Sequence, residues 1–325
     1  MLAQALAWLQ PERQNSAMSN RSSAEQPPSR PVRPRRSVLY VPAVNERAIA
    51  KLPSLAFDVV IFDLEDSIAP DQKDGARENL RQVLRDLDLQ GRERIVRING
   101  LETRWGTEDL LAARAGGVDA ILLPKVEDPA AIQTAASALD QTDAAETMRL
   151  WAMIETPKGI MNAGHVAAAA RTYGSRLDCF VVGPNDIAKD TGVRGTPGRP
   201  YLVPWLMQIL LAARAFGLDV VDGVYNDFRD SEGFADECRQ GRDMGFDGKT
   251  LIHPAQIEAA NDAFGIGAQE RQDAERIVAA FDQPENATRG VIEIDGRMVE
   301  RLHLIDAQRL LTKASAINER KGART

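Results

Sequence analysis

Residues 150–158 read Leu150-Trp151-Ala152-Met153-Ile154-Glu155-Thr156-Pro157-Lys158. A largely apolar run ends in one carboxylate, Glu155, and the chain then breaks at Pro157 and Gly159. An apolar run bounded by breakers has the pattern of a strand buried on both faces in a parallel sheet. A carboxylate on its last residue falls at the strand's carboxyl end, where barrels and open α/β sheets place their chemistry. Residues 179–186, Cys-Phe-Val-Val-Gly-Pro-Asn-Asp, repeat the pattern and end in Asp186.

Working outward, apolar runs of this kind recur at residues 37–42, 58–65, 94–99, 119–126, 150–155, 178–183, 219–225 and 248–253. Between them lie segments rich in Ala, Leu, Arg and Glu with helical spacing, among them 45–52, 75–87, 107–115, 129–139, 159–172, 203–216 and 231–244. Eight strands alternating with helices over roughly 250 residues make the α/β pattern of a (β/α)8 barrel. An open doubly wound sheet is the alternative; against it, no GxGxxG follows the first run. Three helix ends share one form, at 114–120, 214–220 and 242–248. Each has a Gly closing the helix, an apolar residue, then an Asp entering the next strand. The division expected is a flexible tail over residues 1–35, the barrel over 36–264, and an extension over 265–325. That extension reads as two helices flanking a hairpin around Asp295-Gly296, suited to a lid or an oligomer arm.

The composition bounds the function. Hydrophobic residues make up 44% and charged residues 27% of 325 residues, as in ordinary globular proteins. A net charge of -7 argues against a nucleic-acid surface. No apolar run approaches the ~20 residues of a membrane span, and residues 1–10 lack the basic start of a signal peptide. Residues 11–36 are rich in Pro, Ser, Gln and Arg, as in disordered tails, and Met18 is an alternative start. Cys179 and Cys238 are too far apart for a disulfide framework and read as buried free thiols of a cytoplasmic protein. His165, His253 and His303 form no metal-binding pattern.

The strand ends would gather on one face Asp63, Glu65 and Asp66; Arg97 and Asn99; Lys125; Glu155; Gly183 to Asp186; Asp222, Tyr225 and Asn226; and His253. Such a set suits a small anionic substrate with a cation. Glu155 and Asp186 either cap the helices that follow or hold one hard cation such as Mg²⁺, which takes one or two carboxylates and fills its other positions with water and substrate. Arg97 would take a substrate carboxylate in a two-bond fork, or pair with Glu65 or Asp66, or both. Asp63, Glu65 and Asp66 would support that Arg. Asn45, Arg47 and Lys51, just after the first strand, would meet phosphate groups or form a solvated helix face. His253 reads as structural.

The run Arg36-Ser37-Val38-Leu39-Tyr40-Val41-Pro42-Ala43 resembles the opening of the citrate lyase β-subunit and malyl-CoA lyase family, part of the HpcH/HpaI aldolase group. Phe62–Asp66, Val96–Asn99, Leu123–Glu127, Ile154–Thr156 and Gly248–Pro254 resemble its other blocks in the same order. The resemblance implies a TIM barrel of the phosphoenolpyruvate/pyruvate type with a C-terminal lid or arm. It implies Mg²⁺ on Glu155 and Asp186 and a 2-oxo acid carboxylate on Arg97. The implied reaction is carbon–carbon cleavage of a 3-hydroxyacyl-CoA thioester (malyl, citramalyl or citryl) to an acyl-CoA and a 2-oxo acid. Gly183, Pro184 and Asn185 would sit beside the substrate, and Asp66 would join the catalytic set. Two alternatives are a malyl-CoA thioesterase and a citrate lyase β-like subunit working on an acyl carrier. In malyl-CoA lyase-like members a C-terminal segment brings an Asp to a neighbouring subunit, which implies a homotrimer or other homo-oligomer. Here the matching residue is Glu300, the expected proton-transferring acid, and Leu302 replaces a Pro. Glu adds one methylene, a displacement on the order of 1 Å that can cost ~100-fold in rate.

Overall fold

The computed structural model describes residues 32–172 and 174–322. The expected tail up to residue 31, with Met18, lies outside the described residues. Eight parallel strands close into a barrel: β1 (Ser37–Pro42), β2 (Val59–Asp63), β3 (Glu93–Arg97), β4 (Ala120–Leu123), β5 (Arg149–Ile154), β6 (Leu177–Val182), β7 (Asp219–Asp222) and β8 (Gly248–Leu251). β8 pairs back onto β1. The helices between them are α1 (Glu46–Lys51), α2 (Lys73–Asp86), α3 (Gly106–Ala115), α4 (Pro129–Gln141), α5 (Pro157–Ala168), α6 (Pro184–Thr191), α7 (Val203–Ala215) and α8 (Ser231–Met244). The open sheet is therefore excluded, and the TIM barrel stands.

The apolar runs serve two cores because strand side chains alternate between faces. Val38, Ile61, Ile95, Leu122, Trp151, Met153, Cys179, Val181 and Val221 fill the barrel interior. Their neighbours, such as Leu39, Phe62, Val96, Leu150, Phe180 and Val220, face outward onto the helices. Both cysteines are buried and free. The repeated helix ends do what their spacing implies. Gly117, Gly217 and Gly245 take positive φ of 61°, 71° and 103°, the left-handed turn that ends a helix and that only Gly adopts without strain. Asp119 then accepts the backbone N–H of Arg94 at 2.8 Å, and Asp247 that of Val220 at 2.9 Å.

Two features depart from the expected outline. The first is α6, an eight-residue helix that begins at the carboxyl end of β6. It is too short to show a period, and Lys189 and Asp190 break up its apolar pattern. The second is the end of the expected tail. Arg35 is only 3% exposed. It lies at the base of the barrel, within 2.8 Å of Glu93, 2.5 Å of Asp178 and 2.7 Å of Asp219. Its guanidinium stacks 4.6 Å from the Trp151 ring. Three carboxylates at strand starts hold this Arg, so residues 32–35 are part of the barrel's floor.

After the barrel come α9 (Ile257–Ala263), α10 (Ala268–Phe281), β9 (Val291–Ile294), β10 (Arg297–Glu300) and α11 (Arg301–Gly322). β9 and β10 form the expected hairpin. The far half of α11 docks on the barrel floor, where Arg320 donates to the carbonyl of Asp58 at 2.8 Å and Lys313 lies 3.4 Å from Asp247. The hairpin has its own small core of Phe281, Ile292 and Val299. No helix among the described residues is long and apolar enough to cross a membrane.

Candidate active site

The carboxyl ends of the strands bring one set of charged side chains together. β3 carries Arg97 to the mouth, and the guanidinium is almost wholly buried. Nε and Nη2 each donate to an oxygen of Asp63 at 2.6 Å, a two-bond fork. Nη1 stands 2.9 Å from Glu65 and 3.9 Å from Asp66. The Tyr40 ring lies 5.1 Å below the guanidinium. Burial alone would push the Asp63 carboxyl up. The Arg97 charge, with hydrogen bonds from Arg97, Ser67 and Glu65, outweighs burial and holds Asp63 below the usual carboxylate range. The side-on fork expected for a substrate is therefore filled by Asp63. Nη1 also donates to Met153 Sδ at 3.9 Å, a long and weak contact. Asp66 is more than half exposed and touches this set only at long range; Asp63 and Glu65 are the acids that fix Arg97.

Glu155 follows β5 and is fully buried. It does not cap α5, because Thr156 does so, its hydroxyl accepting from the Gly159 N–H at 3.0 Å. Instead Glu155 Oε1 accepts the backbone N–H of Lys125 at 2.8 Å. Oε2 is buried and has no hydrogen-bond partner among the described residues. Burial pushes this carboxyl up to about 8, with the charges of Glu65 and Asp186 adding to it and the Lys125 N–H and Arg97 opposing it. Gly183 makes the space: a Cβ there would lie 2.5 Å from Glu155 Cβ and 2.6 Å from Oε2. Asp186 stands in the first turn of α6, half exposed, and makes no side-chain hydrogen bond among the described residues. An unpartnered buried oxygen with a second acid close by fits a hard cation with few protein ligands. Among the described residues no group of three or more His, Cys, Asp or Glu is placed to hold a metal. Glu155 and Asp186 are the two acids that would hold such a cation. Because Glu155 must lose its proton to accept a cation, divalent-ion affinity should rise about tenfold per pH unit and level off near pH 8. Calorimetric titration with Mg²⁺ between about pH 6 and about pH 9 measures this, and a flat profile would contradict it.

Lys125, which sequence reasoning placed at a strand end without a role, joins the two halves. Its Nζ lies 2.7 Å from Glu65 Oε1. No local pattern gives it a role, because its φ of +47° and its cross-strand bonds arise only in the closed barrel. Tyr40 was missed for the same reason. Asn185 pairs by its amide with Asn226, at 2.8 and 3.2 Å. Pro184 starts α6, leaving the N–H groups of Asn185 and Asp186 without helical partners. The Asn45 side chain caps α1, accepting from Ala48 at 3.0 Å. Arg47 is exposed and lines an open cavity of about 500 Å³ with Pro42, Val44, Asn45, Glu46 and Ser67. Lys51, a turn farther along, is outside that lining. His253 accepts the N–H of Ala255 at 3.1 Å and stacks on Phe228, a structural role. Glu300 lies elsewhere. Its backbone N–H donates to His303 at 2.9 Å, and among the described residues no hydrogen bond or ion pair joins the hairpin to the mouth of its own barrel.

Comparison with known proteins agrees with this frame. The model of the HpcH/HpaI aldolase/citrate lyase family matches residues 36–254. A (3S)-malyl-CoA thioesterase of Cereibacter sphaeroides is 48% identical over 284 residues, covering 87% of this chain and 96% of its own. The mitochondrial citramalyl-CoA lyase of Homo sapiens is 34% identical, covering 88% of this chain and 87% of its own. The crystal structure of protein CitE from Mycobacterium tuberculosis in complex with magnesium, acetoacetate and coenzyme A superposes with a TM-score of 0.67 at 32% identity, covering 86% of this chain and 97% of that one. With a matching family model over two thirds of its length and relatives aligned almost end to end, the chain belongs to the HpcH/HpaI aldolase/citrate lyase family.

Proposed function

We propose that the chain is a Mg²⁺-dependent carbon–carbon lyase that cleaves a 3-hydroxyacyl-CoA thioester of the malyl type to an acyl-CoA and a 2-oxo acid. The observation that carries this reading is the unpartnered buried oxygen of Glu155 beside Asp186, facing the same mouth as Arg97. Glu155 and Asp186 would hold the ion. When bound, Mg²⁺ supplies a Lewis acid for the oxygen of the 2-oxo acid. Arg97, kept rigid by Asp63 and Glu65, would turn Nη1, which besides Glu65 has the weak contact to Met153 Sδ, to the acid's carboxylate. The N–H groups of Asn185 and Asp186 at the start of α6 point positive charge toward the thioester oxygen. Arg47 lies where phosphate groups of CoA would enter.

In the cleavage direction the β-hydroxyl gives up its proton to water at the open mouth, acting as base, and becomes the carbonyl of the 2-oxo acid. The carbon–carbon bond breaks, its electrons pass to the thioester enolate, and an acid protonates the α-carbon. Glu300 is that acid, and it serves the mouth of a second copy. Its hairpin is built apart from its own mouth, and it exposes Val291, Met298, Leu302 and Ile305, an apolar edge suited to burial in a homo-oligomer. Glu300→Gln should lower kcat about 100-fold with little change in KM. Mixing Glu300→Gln subunits with Asp186→Ala subunits should restore part of the activity. No restoration would place the acid within one chain.

Hydrolysis of the same thioester is the second reading. The malyl-CoA thioesterases at 48% identity favour it, as does Glu300 in place of the family's Asp. A panel of malyl-, citramalyl- and methylmalyl-CoA with Mg²⁺ separates the two. The lyase yields a 2-oxo acid and an acyl-CoA, whereas hydrolysis yields a hydroxy diacid and free CoA.

A further inference from the structure

Lys125 has a φ of +47°, a left-handed conformation that side chains with a Cβ rarely adopt. A glycine would fit this turn more easily, so both the turn and the side chain call for explanation. The turn aims the backbone N–H at Glu155 Oε1, 2.8 Å away. The side chain runs the other way, with Nζ 2.7 Å from Glu65 Oε1 and 3.7 Å from Asp66. Arg97 faces the other Glu65 oxygen at 2.9 Å. Among the described residues Glu65 Oε2 and Glu155 Oε2 are both buried without a hydrogen-bond partner, but Glu65 has a cation against each oxygen, Lys125 at 2.7 Å and Arg97 at 2.9 Å.

Resting on the metal reading above, we infer that Lys125 is a positioning residue that limits the cation's protein ligands to Glu155 and Asp186. Its N–H commits one oxygen of Glu155, so that only the other faces the cation. Its ammonium keeps Glu65 on Arg97 and out of the ligand set. The physical reason is the different demand of the two common hard cations. Ca²⁺ takes six to eight oxygens and gains from a third carboxylate. Mg²⁺ works with one or two carboxylates and leaves its other positions to water and substrate oxygens. A third acid would occupy a position the substrate needs.

The test uses the whole protein and the metals alone, by calorimetry with Mg²⁺ and with Ca²⁺. Lys125→Met keeps a straight side chain and the backbone N–H but frees Glu65 Oε1, leaving Arg97 on the other oxygen. The ratio of Ca²⁺ to Mg²⁺ affinity should rise about tenfold, and turnover with Mg²⁺ should fall. Lys125→Arg, which keeps a cation on Glu65, should hold the ratio within about twofold of the unaltered protein. Glu65→Gln combined with Lys125→Met should return the ratio to its original value. An unchanged ratio in Lys125→Met overturns the inference. So does an equal gain for both ions, which is what removing a nearby charge does by itself. If the unaltered protein binds neither ion, the metal reading fails and takes this inference with it. Normal binding with an unmoved ratio overturns the role of Lys125 alone.

Discussion

Glu155→Gln is expected to leave a folded barrel with no measurable binding of divalent ions and turnover reduced about 1000-fold, equivalent to roughly 4 kcal/mol of lost transition-state stabilisation. The amide has nearly the volume of the carboxylate, so the space made by Gly183 remains filled. Its oxygen still accepts the N–H of Lys125. Its NH₂ then occupies the place of Oε2 and points hydrogens at the cation's position. The same substitution has a second, independent readout. The Glu155 carboxyl is raised by burial from 4.5 to about 8. Between those values the folded protein holds a proton that the unfolded chain has lost. By linkage, stability therefore falls as pH rises through that window and is level above it. Gln cannot ionise, so the variant escapes that fall. In metal-free buffer its melting temperature should exceed that of the unaltered protein, with the gap widening from about pH 5 to about pH 8. Parallel melting curves across that range would contradict the burial argument.

Arg97→Met is expected to cost about 3–5 kcal/mol of folding stability as well as activity, because it leaves Asp63 buried without its partner. Asp63 is 2% exposed and receives two bonds of 2.6 Å from the guanidinium. Its low carboxyl range depends on that charge. Adding Asp63→Asn to Arg97→Met removes the stranded charge and should recover most of the stability. Activity should not return under the proposed role, because the guanidinium that would meet the substrate carboxylate is still missing. Denaturant unfolding and turnover, measured on both variants, separate the two roles. If the single variant is as stable as the unaltered protein, the ion pair is not holding the mouth.

The barrel was legible because its evidence is periodic. Eight apolar runs and three Gly-apolar-Asp helix ends follow from strand burial and left-handed caps, which are local rules. Expected strands ran long at 219–225 and 248–253, where the apolar pattern continues into loops beyond Asp222 and Leu251. Glu155 and Asp186 were legible as acids ending apolar runs. That Glu155 is no helix cap was not, since the competing cap, Thr156, differs from it only in geometry. Arg97 was legible as a buried cation, but its choice of Asp63 over Asp66 was not. β2 and β3 pair Asp63 with Arg97 in register, and three acids in four residues hide that choice. Arg35 was hidden in a stretch whose composition matches a tail, and only the closed floor gives it three carboxylates. Lys125 was legible as a strand-end cation, but its bonds to Glu155 and Glu65 arise only when the barrel closes.

The most direct measurement is an anomalous difference map from crystals of the whole protein equilibrated with Mn²⁺ in place of Mg²⁺. The expected result is one strong peak at the barrel mouth, bonded to Glu155 Oε2 and Asp186 at the short distances of a hard cation, with Glu65 still held by Lys125 and Arg97. A peak at another set of residues, or no peak under conditions where the protein turns over malyl-CoA, would contradict the assignment of Glu155 and Asp186 as the metal's ligands.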